Sequence, residues 1–187
     1  MATRPLVALA VVALPSLAAA NPITAGVHVG ITQAKDDGTA GLAPNDTLGL
    51  FGRLQFNPRI AGQLEVQRIK TTDGGNVDIR TGTASLVIDL VAKGRLVPTL
   101  AVGMGLDKAT TSYGSETNGH HFEGGFGVEY RADGGLVLGG EFRMGGRSLE
   151  QSDKVVPLEG GVALYAPSTL REGEYRSARL FLGIRFK

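Results

Sequence analysis

From residue 23 onward the chain repeats one pattern, in which apolar side chains occupy alternate positions and polar residues or glycines lie between them. Successive side chains of a β-strand point to opposite faces, so this period of two predicts strands with one apolar and one polar face. The pattern occurs in eight segments, at residues 23–32, 47–56, 60–70, 84–90, 99–107, 121–131, 136–147 and 179–186. No segment after residue 20 has a sustained helical period, so we predict an all-β fold.

The connections between these segments alternate in length. Long polar connections are predicted at residues 35–46, 110–118 and 149–174, and a tighter one at 73–76. Short Asn-, Asp-, Gly- and Pro-containing turns separate the other pairs, at residues 57–59, 92–94 and 132–135. Turns this short join neighbouring antiparallel strands, which predicts an up-and-down order. The longest connection has an apolar centre at residues 162–165, and we expect it to form a hairpin.

Alternation alone does not say which face is inside. A soluble barrel or sandwich buries its apolar face, whereas a membrane barrel turns that face toward lipid. The polar face carries both signs of charge beside many of the 28 glycines, and small residues suit the narrow lumen of an eight-stranded barrel. Charges confined there must pair. We therefore predict a lumenal ion-pair network of Arg53, Glu65, Asp89, Glu129, Glu141, Arg143, Arg179 and Arg185.

The apolar faces carry no Lys or Arg through their middles, where a cation facing lipid would cost about 2–4 kcal/mol. Arg68 and Arg80 are the exceptions, and we place both near loop ends, where the cost falls to about 0–1 kcal/mol. This distribution favours the membrane barrel over the soluble one.

Residues 1–20 predict a cleavable signal peptide. Arg4 supplies a positive start, residues 6–14 are uniformly apolar, and Ala18, Ala19 and Ala20 form a small-residue cleavage site. The alternatives are a membrane anchor or a core helix, but the apolar run is too short to span a bilayer. The barrel domain is accordingly predicted at residues 21–187.

Composition excludes several classes of function. The formal net charge of +1 argues against a nucleic-acid binder, which would carry a basic patch or stripe. The absence of Cys excludes a disulfide scaffold, a cysteine nucleophile and a cysteine zinc site. We predict no cofactor.

The three histidines are His28, His120 and His121. We expect His28 in the lumen among carboxylates, and His120 and His121 as a loop-end pair in water. His121 and Glu123 share a face, but two ligands do not make a metal site, so no metal is predicted. No catalytic residue is predicted either.

Three stretches resemble a known family. They are residues 48–64 with the Asn57-Pro58 turn, residues 98–105 with glycines between apolar residues, and residues 180–186 at the end of the chain. Together they resemble the OmpA/OmpX-like eight-stranded outer-membrane β-barrel superfamily over residues 21–187. The resemblance implies an eight-stranded antiparallel up-and-down transmembrane β-barrel, integral to a Gram-negative outer membrane. It also implies an assembly signal, read by the barrel-assembly machinery, at Leu182, Gly183, Ile184 and Phe186.

Our leading hypothesis for the function is a non-enzymatic barrel. A packed polar lumen would support surface loops that act in envelope integrity, adhesion, surface antigenicity or partner contact. An extracellular partner is expected at loops 35–46, 110–118 and 149–174, and outer-membrane lipids around the barrel. The alternatives are a lipid-modifying barrel enzyme, similar to lipid A deacylases, and a soluble lipocalin-like carrier.

Aromatic belts are expected at both membrane interfaces. We place Phe56, Tyr130 and Phe186 on the periplasmic side, and Phe122 and Tyr175 at the opposite rim.

Overall fold

A computed structural model describes residues 21–34, 44–71, 77–110, 116–150, 155–157, 163–165 and 173–186. The predicted signal peptide lies outside these residues. No helix in the described ranges is both long enough and apolar enough to cross a bilayer.

The described residues form ten β-strands. Eight of them build one sheet: β1 (Ile23–Ala34), β2 (Asn45–Asn57), β3 (Ile60–Thr71), β4 (Val77–Asp89), β5 (Leu96–Thr110), β6 (Glu116–Arg131), β7 (Leu136–Glu150) and β10 (Gly173–Phe186). Two short strands, β8 (Val155–Pro157) and β9 (Ala163–Tyr165), pair antiparallel in a separate sheet within the longest connection. That pair forms the hairpin expected there.

The sheet closes on itself, which confirms the predicted eight-stranded barrel. Around the barrel the strands follow the order β1-β10-β7-β6-β5-β4-β3-β2, and every neighbouring pair is antiparallel. β1 makes the closure because Ile23 lies opposite Phe186 on one side and opposite Leu54 on the other. Closure leaves this sheet with no unpaired strand edge.

Short turns gather at one end of the barrel. They join β2 to β3, β4 to β5 and β6 to β7, with two, six and four residues between the strands. The other end carries the connections of ten and 22 residues, together with two of five residues, at 72–76 and 111–115. The connection predicted as long at residues 110–118 is therefore shorter than expected, because β5 and β6 extend into it. In the first turn, the Asn57 side-chain oxygen accepts hydrogen bonds from the backbone N–H groups of Arg59 (2.8 Å) and Ile60 (2.9 Å). Gly135, in the last turn, has a φ of 85°, a conformation that favours glycine.

The two faces of the barrel have the predicted orientation. Outward side chains are apolar and exposed, with Leu106 at 73% and Leu64 at 70%, whereas the lumenal Glu129 is only 1% exposed. Leu86 and Leu182 are likewise exposed, and Phe142 packs on the exposed ring of Phe126 at 5.7 Å. Apolar side chains therefore face outward and ionic ones face inward.

Close contacts in the lumen explain part of the glycine content. A Cβ placed on Gly139 would lie 2.3 Å from the ring of Phe181, and one on Gly105 would lie 2.3 Å from the ring of His121. Both contacts are closer than real Cβ atoms adopt. Glycine at these positions therefore makes room for large lumenal side chains from neighbouring strands.

The strands extend past the predicted apolar segments at the loop end. β4 begins at Val77 rather than at residue 84, and β10 begins at Gly173 rather than at residue 179. In this extension of β3–β5 the polarity of the faces is inverted, because Ile69, Ile79 and Ala109 form a buried cluster inside. The sequence pattern marks only the part of each strand that has an apolar outer face.

Candidate functional site: the ionic lumen

At the middle of the lumen, two arginines share three glutamates. Arg143 pairs with Glu123 and lies 3.1 Å from Glu141 and 3.4 Å from Glu65. Arg179 pairs with Glu65 and lies 3.0 Å from Glu141 and 3.9 Å from Glu123. These side chains come from β3, β6, β7 and β10. The contacts of Glu65 on β3 with both arginines cross the lumen between strands that are not neighbours, whereas Arg143–Glu123 and Arg179–Glu141 join neighbouring strands.

A second group of charges lies toward the end with the short turns. Arg53 pairs with Glu129 and donates a 2.8 Å hydrogen bond to the side-chain oxygen of Gln63. Arg131 donates two hydrogen bonds to Asp89, at 2.7 and 2.9 Å, and another to Glu129 at 2.7 Å. Bidentate arginine–carboxylate geometry is among the strongest polar contacts in proteins.

The structure brings together seven of the eight residues predicted for the network. Arg185 is the exception: it is half-buried at the end with the short turns, and its Nε has no hydrogen-bond partner among the described residues. Two members of the observed pairs, Glu123 and Arg131, were not predicted as members. The period of two places both on the polar face of β6, Glu123 two residues before Gly125 and Arg131 two residues after Glu129, but it does not indicate which side chains pair.

A third group lies toward the loop end. Asp107 accepts hydrogen bonds from Arg147 Nε (2.7 Å) and Thr81 Oγ1 (2.8 Å), and its Oδ2 lies 3.2 Å from His121 Nδ1. His121 Nε2 in turn lies 3.1 Å from the Thr83 hydroxyl. A hydroxyl, an imidazole and a carboxylate therefore follow one another in the lumen.

The expectation that His120 and His121 form a loop-end pair in water is wrong for His121. β6 begins at Glu116 rather than at residue 121, so His121 is already inside the barrel and is 3% exposed. His120, one residue earlier, faces outward and is exposed.

The placement of Tyr175 at an aromatic rim is also wrong. Tyr175 is buried in the lumen because it shares the inward face of β10 with Ser177, Arg179 and Phe181. Its hydroxyl donates a 2.8 Å hydrogen bond to Glu123, which joins the loop-end group to the central one. The guanidinium of Arg147 lies 5.1 Å from its ring centroid.

His28 lies in the lumen, as expected. It is 2% exposed, and its Nε2 is 3.6 Å from Glu65 Oε1. Also in the lumen, the rings of Phe51 and Phe181 pack edge to face with their centroids 5.7 Å apart. Aromatic and ionic side chains thus alternate along the length of the lumen.

The amino-acid sequence of this closed barrel matches a known family model. Residues 5–155 match the model described as "Outer membrane protein beta-barrel domain". The chain belongs to this family. It is therefore an integral β-barrel of the outer membrane, and the predicted resemblance is confirmed.

Solved structures of outer-membrane barrels show the same fold. Neisserial surface protein A is 14% identical with a TM-score of 0.64, over 88% of this chain and 96% of that one. Ail, the attachment invasion locus protein of Yersinia pestis, is 14% identical with a TM-score of 0.55, over 89% and 99%. OprG of Pseudomonas aeruginosa is 12% identical with a TM-score of 0.50, over 89% and 95%. Ail has also been solved in complex with the heparin analogue sucrose octasulfate.

None of the curated proteins compared with this chain by sequence matches it.

Membership of this family shows which end of the barrel faces the cell exterior and which faces the periplasm. In outer-membrane barrels the long loops lie outside the cell and the short turns lie in the periplasm. The exposed aromatic residues Phe56, Tyr130 and Phe186 then lie near the periplasmic interface, and Phe122 toward the outer one.

The predicted assembly signal lies on the last strand of the barrel. Leu182, Ile184 and Phe186 are exposed on the outer face of β10, and Gly183 faces inward. The described residues contain no group of three or more His, Asp or Glu side chains arranged to hold a metal ion.

Proposed function

We propose that this protein is a non-enzymatic outer-membrane barrel that holds its extracellular loops in place for contact with the envelope or with a partner. The supporting observation is the central group, in which Arg143 and Arg179 are shared by three glutamates and are almost completely buried. Each arginine is held from several strands, so its guanidinium is fixed in the lumen. A barrel filled in this way suits a rigid support better than a solute channel.

The charge of the loops suggests the kind of partner. Residues 35–46, 110–118 and 149–174, which are the predicted loops and now include the strand ends beside them, carry nine acidic and three basic residues between them. Complementary charge speeds encounter and selects partners, so these loops favour a basic partner surface. A sulfated polysaccharide such as the heparin analogue bound to Ail is less suited to this chain.

Two measurements test the proposal on the folded full-length barrel in lipid nanodiscs or planar bilayers. We expect no large, steady single-channel current, and we expect stronger retention on immobilised polylysine than on heparin. Replacing Glu150, Asp153, Glu159 and Glu172 by Gln is expected to abolish the difference between the two columns. A steady current would contradict the packed lumen, and preferential retention on heparin would contradict the choice of partner.

One observation favours a second candidate, a lipid-modifying enzyme. Thr83, His121 and Asp107 form a sequence of hydroxyl, imidazole and carboxylate like that of a hydrolase triad. All three side chains point into the lumen, however, and Arg147 already occupies an oxygen of Asp107. We therefore expect no change in lipid A mass on expression of this protein. A mass change that is abolished by His121→Ala would establish the enzyme instead.

A further inference from the structure

Three cations form a row on the outside of the barrel near its loop end. Arg68 on β3 lies directly opposite Arg80 on β4, which lies directly opposite Lys108 on β5. Their side chains are 54%, 75% and 50% exposed. Like charges placed opposite each other across strands are destabilising, so this row needs an anionic counterpart.

The described residues supply only part of that counterpart. Arg68 donates a 2.7 Å hydrogen bond to Asp78, and Lys108 lies 2.9 Å from Glu116. Arg80, in the middle, is 3.9 Å from the same Asp78. The central cation is thus the most exposed of the three and has the longest ion-pair distance. An anion at Arg80 would also lie beside Arg68 and Lys108.

The row lies at the outer boundary of the apolar surface. On its loop side the faces are inverted, with Ile69, Ile79 and Ala109 buried inside. On its membrane side the next outward residues across β2–β5 are Leu50, Val66, Gly82 and Leu106, none of which is charged. Because the long loops lie outside the cell, the row is at the level of the outer-leaflet headgroups.

A groove leads from the cations down the apolar surface. Its upper part, of about 970 Å³, is lined by the three cations together with Leu50, Gly82 and Leu106. Its lower part, of about 940 Å³, shares Leu50, Val66, Gly82 and Leu106 with the upper part, and continues past Leu64, Ala84 and Met104 to Phe122.

Small residues leave the groove open. A Cβ built on Gly82 or on Gly52 would have no heavy atom within 4 Å, so open space lies outside both positions. Taller neighbours such as Leu64 and Met104 stand on either side of Ala84. The groove is thus polar and cationic at one end and apolar along the rest, with the polarity of a lipid molecule.

We propose that the cationic row of Arg68, Arg80 and Lys108 and the groove below it bind a phosphorylated, multiply acylated lipid of the outer leaflet. The phosphate takes the position beside Arg80, where arginine can donate two hydrogen bonds to two phosphate oxygens. An acyl chain of the lipid lies in the groove against Gly82. The inference depends on the outer-membrane location and not on the role proposed for the loops.

Lipid A is the probe that tests whether binding requires the phosphate groups of the lipid. The full-length barrel is reconstituted in phosphatidylcholine nanodiscs with either bis-phosphorylated or dephosphorylated lipid A, and bound lipid is counted by native mass spectrometry. Wild type is expected to retain the phosphorylated form preferentially. Arg80→Gln is expected to lower its affinity about fivefold, which corresponds to the roughly 1 kcal/mol expected for one cation near an anionic surface.

The matched control is Arg95→Gln, which removes an exposed arginine paired with Asp133 at the periplasmic end. This variant is expected to retain lipid A as wild type does. Equal retention of the two lipid A forms by wild type would overturn the proposal. So would an affinity unchanged by Arg80→Gln, or one lowered equally by Arg95→Gln.

A second pair of variants tests the groove. Gly82→Phe fills it, and Gly140→Phe adds the same ring on the outer face of β7, where a Cβ would lie 3.4 Å from its nearest neighbour, a side-chain atom of Leu180, and outside the groove. Both barrels are expected to fold, as shown by a gel shift between heated and unheated samples. Only Gly82→Phe is expected to reduce retention of phosphorylated lipid A, and equal retention by the two variants would overturn the assignment of the groove. Should Gly82→Phe not fold, the charge variants alone decide the proposal.

Discussion

Strand β3 carries charge on both of its faces, and the two faces treat that charge differently. Inside, Glu65 is almost completely buried and is held by both Arg143 and Arg179. Outside, three residues further along, Arg68 is more than half exposed and shares Asp78 with Arg80. The lumenal charges are neutralised by one another, whereas neutralisation of the outer cations also involves the surroundings of the barrel. The same residue types therefore neutralise one another inside and are only partly neutralised by the described residues outside.

The largest effect is expected from opening the lumenal network. Arg143→Met leaves three glutamates in a buried space with a single remaining arginine. Removing one partner of a buried ion pair costs about 3–5 kcal/mol, because the other charge stays buried and uncompensated. We expect a loss of this size in the free energy of unfolding, measured by urea titration of the reconstituted barrel. Unfolding at the same urea concentration as wild type would show that these charges are not mutually compensated.

The next largest effect comes from moving a cation along the outer face. Leu86→Arg places a charge at the apolar middle of β4 and is expected to cost about 2–4 kcal/mol. Arg80→Leu, on the same face of the same strand near the headgroups, is expected to change stability by only about 0–1 kcal/mol. Comparing the two urea midpoints measures the depth of the cationic row. Equal costs would place Arg80 and residue 86 in the same environment.

A smaller difference in stability is expected between alanine substitutions of glycines on the inner and outer faces. Gly139→Ala brings a methyl group against Phe181, and overpacking of this kind costs about 1–3 kcal/mol. Gly82→Ala meets open space and is expected to be neutral or slightly stabilising. The two effects are distinguished by heating each variant and measuring the temperature at which its folded band disappears from the gel. A neutral Gly139→Ala would mean that the lumen is looser than the contacts indicate.

The smallest effect is expected at an outer ion pair. Asp78→Asn removes the partner of Arg68, and exposed pairs contribute about 0.2–1 kcal/mol. The loss should shrink further in high salt, since exposed charges are screened. A salt-independent loss above this range would mean that Asp78 has a structural role beyond neutralising the row.

Much of this arrangement was predictable from alternation. The period of two assigned Glu65, Glu141 and Arg179 to one face and Leu86 and Leu182 to the other, because side-chain direction follows directly from strand geometry. The short turns predicted the up-and-down order. Closure into a barrel followed from the physics of the bilayer, which tolerates no open sheet edge.

The pairing of charges was not predictable in the same way. Arg53 meets Glu129 and Arg179 meets Glu65 although 76 and 114 residues separate the partners. Which side chains meet across a lumen depends on the stagger of all eight strands, and a single sequence does not specify that stagger. His121 and Tyr175 were misplaced for a related reason, since their strands continue beyond the segments with an apolar outer face.

The most direct test of the account is a spin-label scan of residues 82–86 on β4, using single-cysteine variants of this cysteine-free chain. In lipid vesicles, labels at residues 82, 84 and 86 are expected to collide readily with lipid-soluble oxygen. Labels at residues 83 and 85 should be shielded from oxygen and from a water-soluble nickel complex alike. Oxygen accessibility at 83 and 85, or no alternation at all, would contradict an apolar exterior around a packed ionic lumen.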